Sequence, residues 1–259
     1  MKIESLKKNE LVNYCRSLGI ETYKKTISEL RKAVYLYRRN EIEKAKYDRT
    51  DLFLLKQKIR ELANEYASNL NHKIINRRAE MQRDDNSHYL IYNVLGISSS
   101  DGQLIDEFQN TGRFLYKYAG SFLEEASSLC LFFFNTLGGK AFVTNTIGKR
   151  PKEFEIDFLN GTDAIELKWR DATTDGDHIT KEHTRVQVIK SHGFKPIRLM
   201  FYLPQREQAI KIQNILKTLY HSYEINGEYY AGDEAWSYLY NKTGYNLKSI
   251  LEEIIKERV

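Results

Sequence analysis

Residues 154–172 read FEIDFLNGTDAIELKWRDA, and the fold turns on how this stretch is arranged. Two runs rich in β-formers, FEIDFLN (154–160) and AIELKWR (164–170), flank an NGTD turn. Asn-Gly accepts the positive φ that tight hairpins demand, so the runs are expected to pair antiparallel. With the turn centred near 161 and 162, Asp157 falls opposite Glu166. Side chains alternate along a strand, which sets Glu166 and Lys168 on one face. A lone Glu-x-Lys is most simply a solvated sheet face. Aspartate is disfavoured in strands, so Asp157 is the more telling residue. Glu155 shares its face and is an alternative partner, whereas Asp163 reads as a turn residue.

Further strands and helices follow from the flanks. KAFVTNTI (140–147) precedes the hairpin as a third strand, and the polar loop DATTDGD leads to a helix, HITKEHTRVQVIKSHG. KPIRLMFYL (195–203) has the length and β-branched content of a buried strand, and QREQAIKIQNILKTLY returns to helical spacing. Upstream, SSSDGQ reads as a loop before helices at 104–137. Their apolar face is expected from Leu115, Ala119, Phe122, Ala126, Leu129 and Phe133, with Gly138-Gly139 as the stop. Glu125 lies on the margin of that face and Glu124 points further away. The order predicts an α/β fold, a mixed central sheet flanked by helices, with a helical N-terminal region.

That region, 1–83, is expected to be an arm on a catalytic domain at 84–259. Residues 3–35 carry apolar positions for two short helices separated by Gly19, and the pattern resembles the SAP-type DNA-binding module. A DNA-binding or dimerisation part is what that implies. Residues 40–82 are expected to form a charged helix with a stripe from Leu52 to Tyr66. The Tyr-rich C-terminal segment ends in an amphipathic helix.

Composition removes several function classes. The chain has 259 residues, 41% apolar and 29% charged, with a net charge of +5. No apolar run approaches the roughly 18 residues of a membrane span, and MKIESLKKNELVNY lacks a secretory core, so a cytoplasmic protein with no membrane partner is expected. Cys15 and Cys130 have no histidines at zinc spacing, and His178 and His183 are five apart rather than four. The absence of GxxxxGK[ST] argues against a nucleotide-phosphate loop. The mild positive charge is compatible with a polyanion.

The acids and the lysine suit phosphodiester hydrolysis, which needs a hydroxide and neutralisation of charge growing on phosphorus. A hard divalent cation with oxygen ligands supplies much of this. Asp157 and Glu166 are the expected ligands, with the Leu167 carbonyl completing the shell, Glu125 at a second ion or bridging water, and Lys168 orienting the attacking water.

Asp157 followed by Glu166-Leu167-Lys168, set within helix, three strands, helix and strand, resembles the PD-(D/E)xK nuclease superfamily, although Ile156 stands where the signature has proline. The longer run IELKWRDATTDGDHITKEHTRVQVIKSHGFKPIRLMFY is similar to type II restriction endonucleases of the ApaLI kind, over roughly residues 85–215. The resemblance implies a prokaryotic restriction–modification enzyme that uses Mg²⁺, cuts both strands of duplex DNA at a short sequence, and works as a homodimer. After the lysine strand come Arg170, Thr173, Thr174, Asp175, Asp177, His178, Lys181, His183, Arg185 and Gln187. These groups can pair with base edges or phosphates, and they are the expected DNA-binding set, with a plain polar loop and helix face as the alternative. A structure-specific repair nuclease and a non-catalytic DNA-binding module are the competing readings.

Overall fold

The computed structural model describes residues 3, 6–44, 51–148, 150–170 and 176–258. Nine helices and five strands are assigned among them. The helices are α1 (Lys8–Ser17), α2 (Ile27–Lys44), α3 (Leu52–Met81), α4 (Tyr89–Val94), α5 (Ser99–Phe134), α6 (Gly176–Ser191), α7 (Glu207–His221), α8 (Asp233–Thr243) and α9 (Leu247–Arg258). The strands are β1 (Gly139–Thr144), β2 (Glu153–Asn160), β3 (Asp163–Lys168), β4 (Lys195–Met200) and β5 (Glu228–Ala231). Contacts sort the chain into two compact units, Met1–Lys56 with Glu124–Val259, and Gln57–Leu123.

The first unit is built on the sheet. Its strands lie side by side in chain order; β1, β2 and β3 pair antiparallel, while β3–β4 and β4–β5 are parallel. This is the mixed α/β sheet the sequence predicts. The hairpin is tighter than expected: Asn160 pairs with Asp163, leaving Gly161 and Thr162 as a two-residue loop, and Gly161 takes φ 64°. Parallel pairing of β3 with β4 needs a crossover, and α6 supplies it, with Val186, Val188 and Ile189 buried as its inner face.

The N-terminal helices belong to this unit. Thr26 and Glu29 form a reciprocal cap at the start of α2: the Glu29 N–H donates to Thr26 Oγ1 at 3.3 Å and the Thr26 N–H to Glu29 Oε2 at 2.7 Å. Leu11 and Cys15 of α1 and Leu30, Val34 and Tyr35 of α2 share a core with Val143, Phe154, Ile156 and Phe194. A second core gathers Val186, Ile212, Leu216, Tyr220, Ile225 and Tyr229.

Two elements differ from the sequence reading. SSSDGQ is not a loop but the start of α5: Ser98 accepts from the Asp101 N–H at 3.1 Å and donates to its carboxylate at 2.6 Å, so serines that suggest a break act as a helix cap. The strand β5 was hidden in the Tyr-rich segment, because four residues between Gly227 and Gly232 carry too little periodicity to register.

The second unit is helical. Arg78 pairs with Glu107 at 2.7 Å, and His88 and Tyr92 of the α4 region reach Asp106 at 3.0 and 3.2 Å. No helix among the described residues is long and apolar enough to cross a membrane.

Gly138, between α5 and β1, ties the first unit's packing to its chemistry. A methyl group there would meet Cε1 of Phe158 at 2.4 Å and the Leu159 carbonyl at 3.0 Å, and Phe158 is buried beside Asp157. Gly138→Ala is therefore expected to cost about 1–3 kcal/mol by overpacking. Urea unfolding measures this; a loss within experimental error would mean that the ring has room to move.

Candidate active site

The geometry begins with a change of register in β2. Gly139 pairs with Leu159 but Ala141 with Ile156, so three steps along β2 match two along β1. The extra residue falls at Asp157–Phe158. A bulge of this kind bends a strand and re-aims its side chains, and here it interrupts the alternation of buried and exposed positions just where Asp157 turns inward. On the other side the hairpin register Phe158↔Ile165, continued by one residue, sets Asp157 beside Glu166. The Leu167 N–H donates to Asp157 Oδ2 at 2.8 Å. Leu167 thus holds the aspartate through its N–H, an interaction that the expectation about its carbonyl did not foresee.

Glu166 and Lys168 project together, as the strand period requires. Lys168 Nζ lies 2.5 Å from Glu166 Oε1 and 3.9 Å from Asp157 Oδ2. Both acids are buried, while the lysine keeps 35% of its side chain exposed. The other Glu166 oxygen, Oε2, accepts from Arg185 of α6. Arg185 also donates to the Glu155 carbonyl at 3.0 Å and faces Glu182 at 3.4 Å. Glu182 in turn receives Arg198 of β4 at 3.2 Å and the Tyr220 hydroxyl. Three acids (Asp157, Glu166, Glu182) therefore stand against three cations (Lys168, Arg185, Arg198), a balance that a buried network requires.

A separate acidic group opens beside it. Carboxylate oxygens of Glu124, Glu155 and Asp157 lie within 4.8 Å of one another, and Lys140 of β1 sits against Glu155 at 2.6 Å and Glu124 at 3.4 Å. The helical acid in this group is Glu124, not Glu125, which is exposed. The buried face of α5 runs through Leu123, Ala126, Ser127, Cys130 and Leu131. The stripe expected from Leu115 to Phe133 shares Ala126 with this face but is otherwise rotated from it, because Ser127 and Cys130 mark the contact by being small.

The expected DNA-contact residues separate. Arg170, Lys181 and His183 are exposed, Arg170 lying 5.6 Å from the Trp169 ring, and Gln187 is half-buried. Arg185 is buried in the ionic network. Thr173, Thr174 and Asp175 lie outside the described residues, and Asp177 and His178 are described only as backbone of α6. Sequence reasoning missed Glu182 and Arg198. The available signal was a charged pair, Glu182 and Arg185, three apart on the same helix stripe as Ile189.

Electrostatics divide the roles. Burial, reinforced by Glu166 and only partly offset by Lys168, pushes the Asp157 carboxyl up to about 7. Burial also opposes ionisation of Glu166, but Arg185 and Lys168 outweigh it and hold that carboxyl below its ordinary value. For Lys168 burial works against the charge, and Glu166 and then Asp157 outweigh it, so the ammonium is retained at neutral pH. Burial likewise opposes the charge on Glu182, and Arg198 and Arg185 hold it at about 2.

Asp157 therefore carries a stability signature. Its folded pKa lies above the unfolded value of 3.8, so the contribution is complete below that value and is lost as pH rises through about 7. Asp157→Asn keeps an acceptor for the Leu167 N–H and removes the buried charge. It is expected to raise metal-free stability by on the order of 1–3 kcal/mol at pH 8, with little change at pH about 4. Thermal melts with a chelator across that range check this; equal loss of stability at both ends would show that Asp157 is not charged at a cost.

The family model of the ApaLI-like restriction endonucleases matches residues 28–256. No curated protein and no solved structure matches the chain. The matched span runs from the second helix to the last and includes all the residues of the site. By that match, the chain belongs to the ApaLI-like restriction endonuclease family.

Proposed function

We propose that the protein is a type II restriction endonuclease, hydrolysing both strands of duplex DNA at a short specific sequence with Mg²⁺ and leaving 5′-phosphate and 3′-hydroxyl ends. The observation that carries this reading is the meeting of Asp157, Glu166 and Lys168 at the centre of the β2–β3 pair, beside the Glu124–Glu155–Asp157 group. Family membership supports a DNA substrate and a divalent metal.

The donor set fits a hard cation. Three carboxylates offer only oxygen ligands, and burial, reinforced by Glu166 and Glu124, leaves Asp157 with a raised affinity for a positive partner. Asp157, Glu124 and Glu155 would hold Mg²⁺. Bound there, the ion supplies positive charge against the scissile phosphate. Glu166, whose oxygens face Lys168 and Arg185, is assigned to the lysine rather than to the ion as first expected. Lys168, charged and half-exposed, orients the attacking water and stabilises the negative charge that develops on the phosphoryl oxygens.

Recognition is assigned to the exposed Arg170, Lys181 and His183, to half-buried Gln187, and to the segment 171–178, with a homodimer presenting two such surfaces to a duplex. The competing repair-nuclease reading needs mainly basic groups for shape recognition, and the mixed polar set at 170–187 favours base reading instead.

Digestion of a long DNA of known sequence with Mg²⁺ tests the proposal. Wild type is expected to give discrete fragments, and Asp157→Ala and Lys168→Ala to lose at least about 10³-fold in rate. Glu124→Gln should share that loss while Glu125→Gln cuts normally. A smear lost in the same variants would move the protein to the structure-specific class. Absence of cleavage across several divalent metals would leave a DNA-binding module.

A further inference from the structure

We infer that Arg185 is a positioning residue for Lys168: it grips one oxygen of Glu166 so that the other can hold the lysine ammonium facing Asp157. The inference rests on the nuclease reading above and assigns a role to a residue that the sequence had placed among the DNA contacts.

Geometry carries it. One Arg185 nitrogen, Nη2, donates both to Glu166 Oε2 on β3 and to the Glu155 backbone carbonyl on β2. The guanidinium therefore spans the two strands that carry the site. Its second terminal nitrogen, Nη1, faces Glu182, which also accepts from Arg198 and Tyr220. Arg185 is buried, so its fork is aimed by packing and not by solvent. Arginine suits the task because its planar donors are set at fixed angles and span Glu166, Glu155 and Glu182 together, whereas an ammonium is a single point of charge on a flexible stem.

Glu166 is left with one oxygen, Oε1, and that oxygen meets Lys168 Nζ at 2.5 Å. The lysine side chain is flexible and partly exposed, and without this anchor it would sample many rotamers away from Asp157. Misplacement of a reacting group by about 1 Å can cost roughly 10²-fold in rate. A buried arginine that reaches the lysine through Glu166 can thus govern the chemical step.

The test uses the full-length enzyme and the variants Arg185→Met and Arg185→Lys. Val186→Ala, a cavity in the same helix, serves as a control for general loss of stability. Two readouts are taken: the ¹⁵N ammonium resonance of Lys168, assigned by its loss in Lys168→Arg, and single-turnover cleavage alongside DNA affinity measured in Ca²⁺.

The expected result is that Arg185→Met moves the Lys168 signal into the envelope of solvent-exposed lysines. It should also slow cleavage by about 10²-fold or more with DNA affinity unchanged. Arg185→Lys, which keeps the charge and protects the fold, should fall between, and Val186→Ala should retain both signal and rate. Weakened DNA binding with an undiminished cleavage rate would overturn the inference and return Arg185 to the DNA-contact set. An unmoved Lys168 signal in Arg185→Met would also overturn it. If wild type cuts no DNA, the nuclease reading fails by itself, and the ammonium resonance still decides what Arg185 holds.

Discussion

Burying Asp157 against Glu166 is the constraint around which the rest of the first unit is organised. Two carboxylates side by side in a protein interior repel and lose hydration, and neither loss is recovered by hydrophobic packing. The chain offsets them locally. Leu167 lends its N–H to Asp157, Lys168 reaches both acids, and Arg185 takes the remaining oxygen of Glu166. The offset is unequal: Glu166 remains an anion, whereas Asp157 is left with a raised affinity for a proton. A buried aspartate with a raised proton affinity is a burden on stability, and a cation placed beside it would relieve that burden.

The fold serves this arrangement through three devices. The bulge in β2 turns Asp157 toward Glu166 without breaking the pairing on either side. The parallel β3–β4 pairing requires a crossover, and α6, which makes it, carries Arg185 and Glu182 over the sheet. Glu182 is then locked between Arg198 of β4 and Tyr220 of α7, so the ionic network ends in rigid elements and not in a loop. Of the acids that would take the metal, Glu124 of α5 and Glu155 of β2 bring carboxylates from outside this network, and Asp157 belongs to both groups.

What was legible in the sequence was local. The Asn160-Gly161 turn sets the hairpin, and the hairpin sets Asp157 against Glu166 and Lys168; each step spans few residues and depends on backbone period and turn chemistry. The order from β1 through β4, with the helix that joins the last two, followed in the same way. Glu124 was missed because the rotation of α5 is decided by what it packs on, and the small residues that reveal it, Ser127 and Cys130, look unremarkable beside the phenylalanines. Arg185 was expected among the DNA contacts because its guanidinium can pair with base edges or phosphates, yet it is buried. Only its partners, 19 positions back at Glu166 and 30 back at Glu155, explain why it is. The bulge left no sign at all, since it depends on the register of β1 as well as on β2.

If Glu124, Glu155 and Asp157 receive the catalytic metal while Glu166 serves the lysine, a crystal grown with Mn²⁺, with the ion located by its anomalous scattering, will show it. The expected peak lies within coordination distance of Glu124, Glu155 and Asp157, with Glu166 still joined to Lys168 and Arg185. A peak on Glu166 with the lysine displaced, or no peak near Asp157 at saturating Mn²⁺, would contradict it.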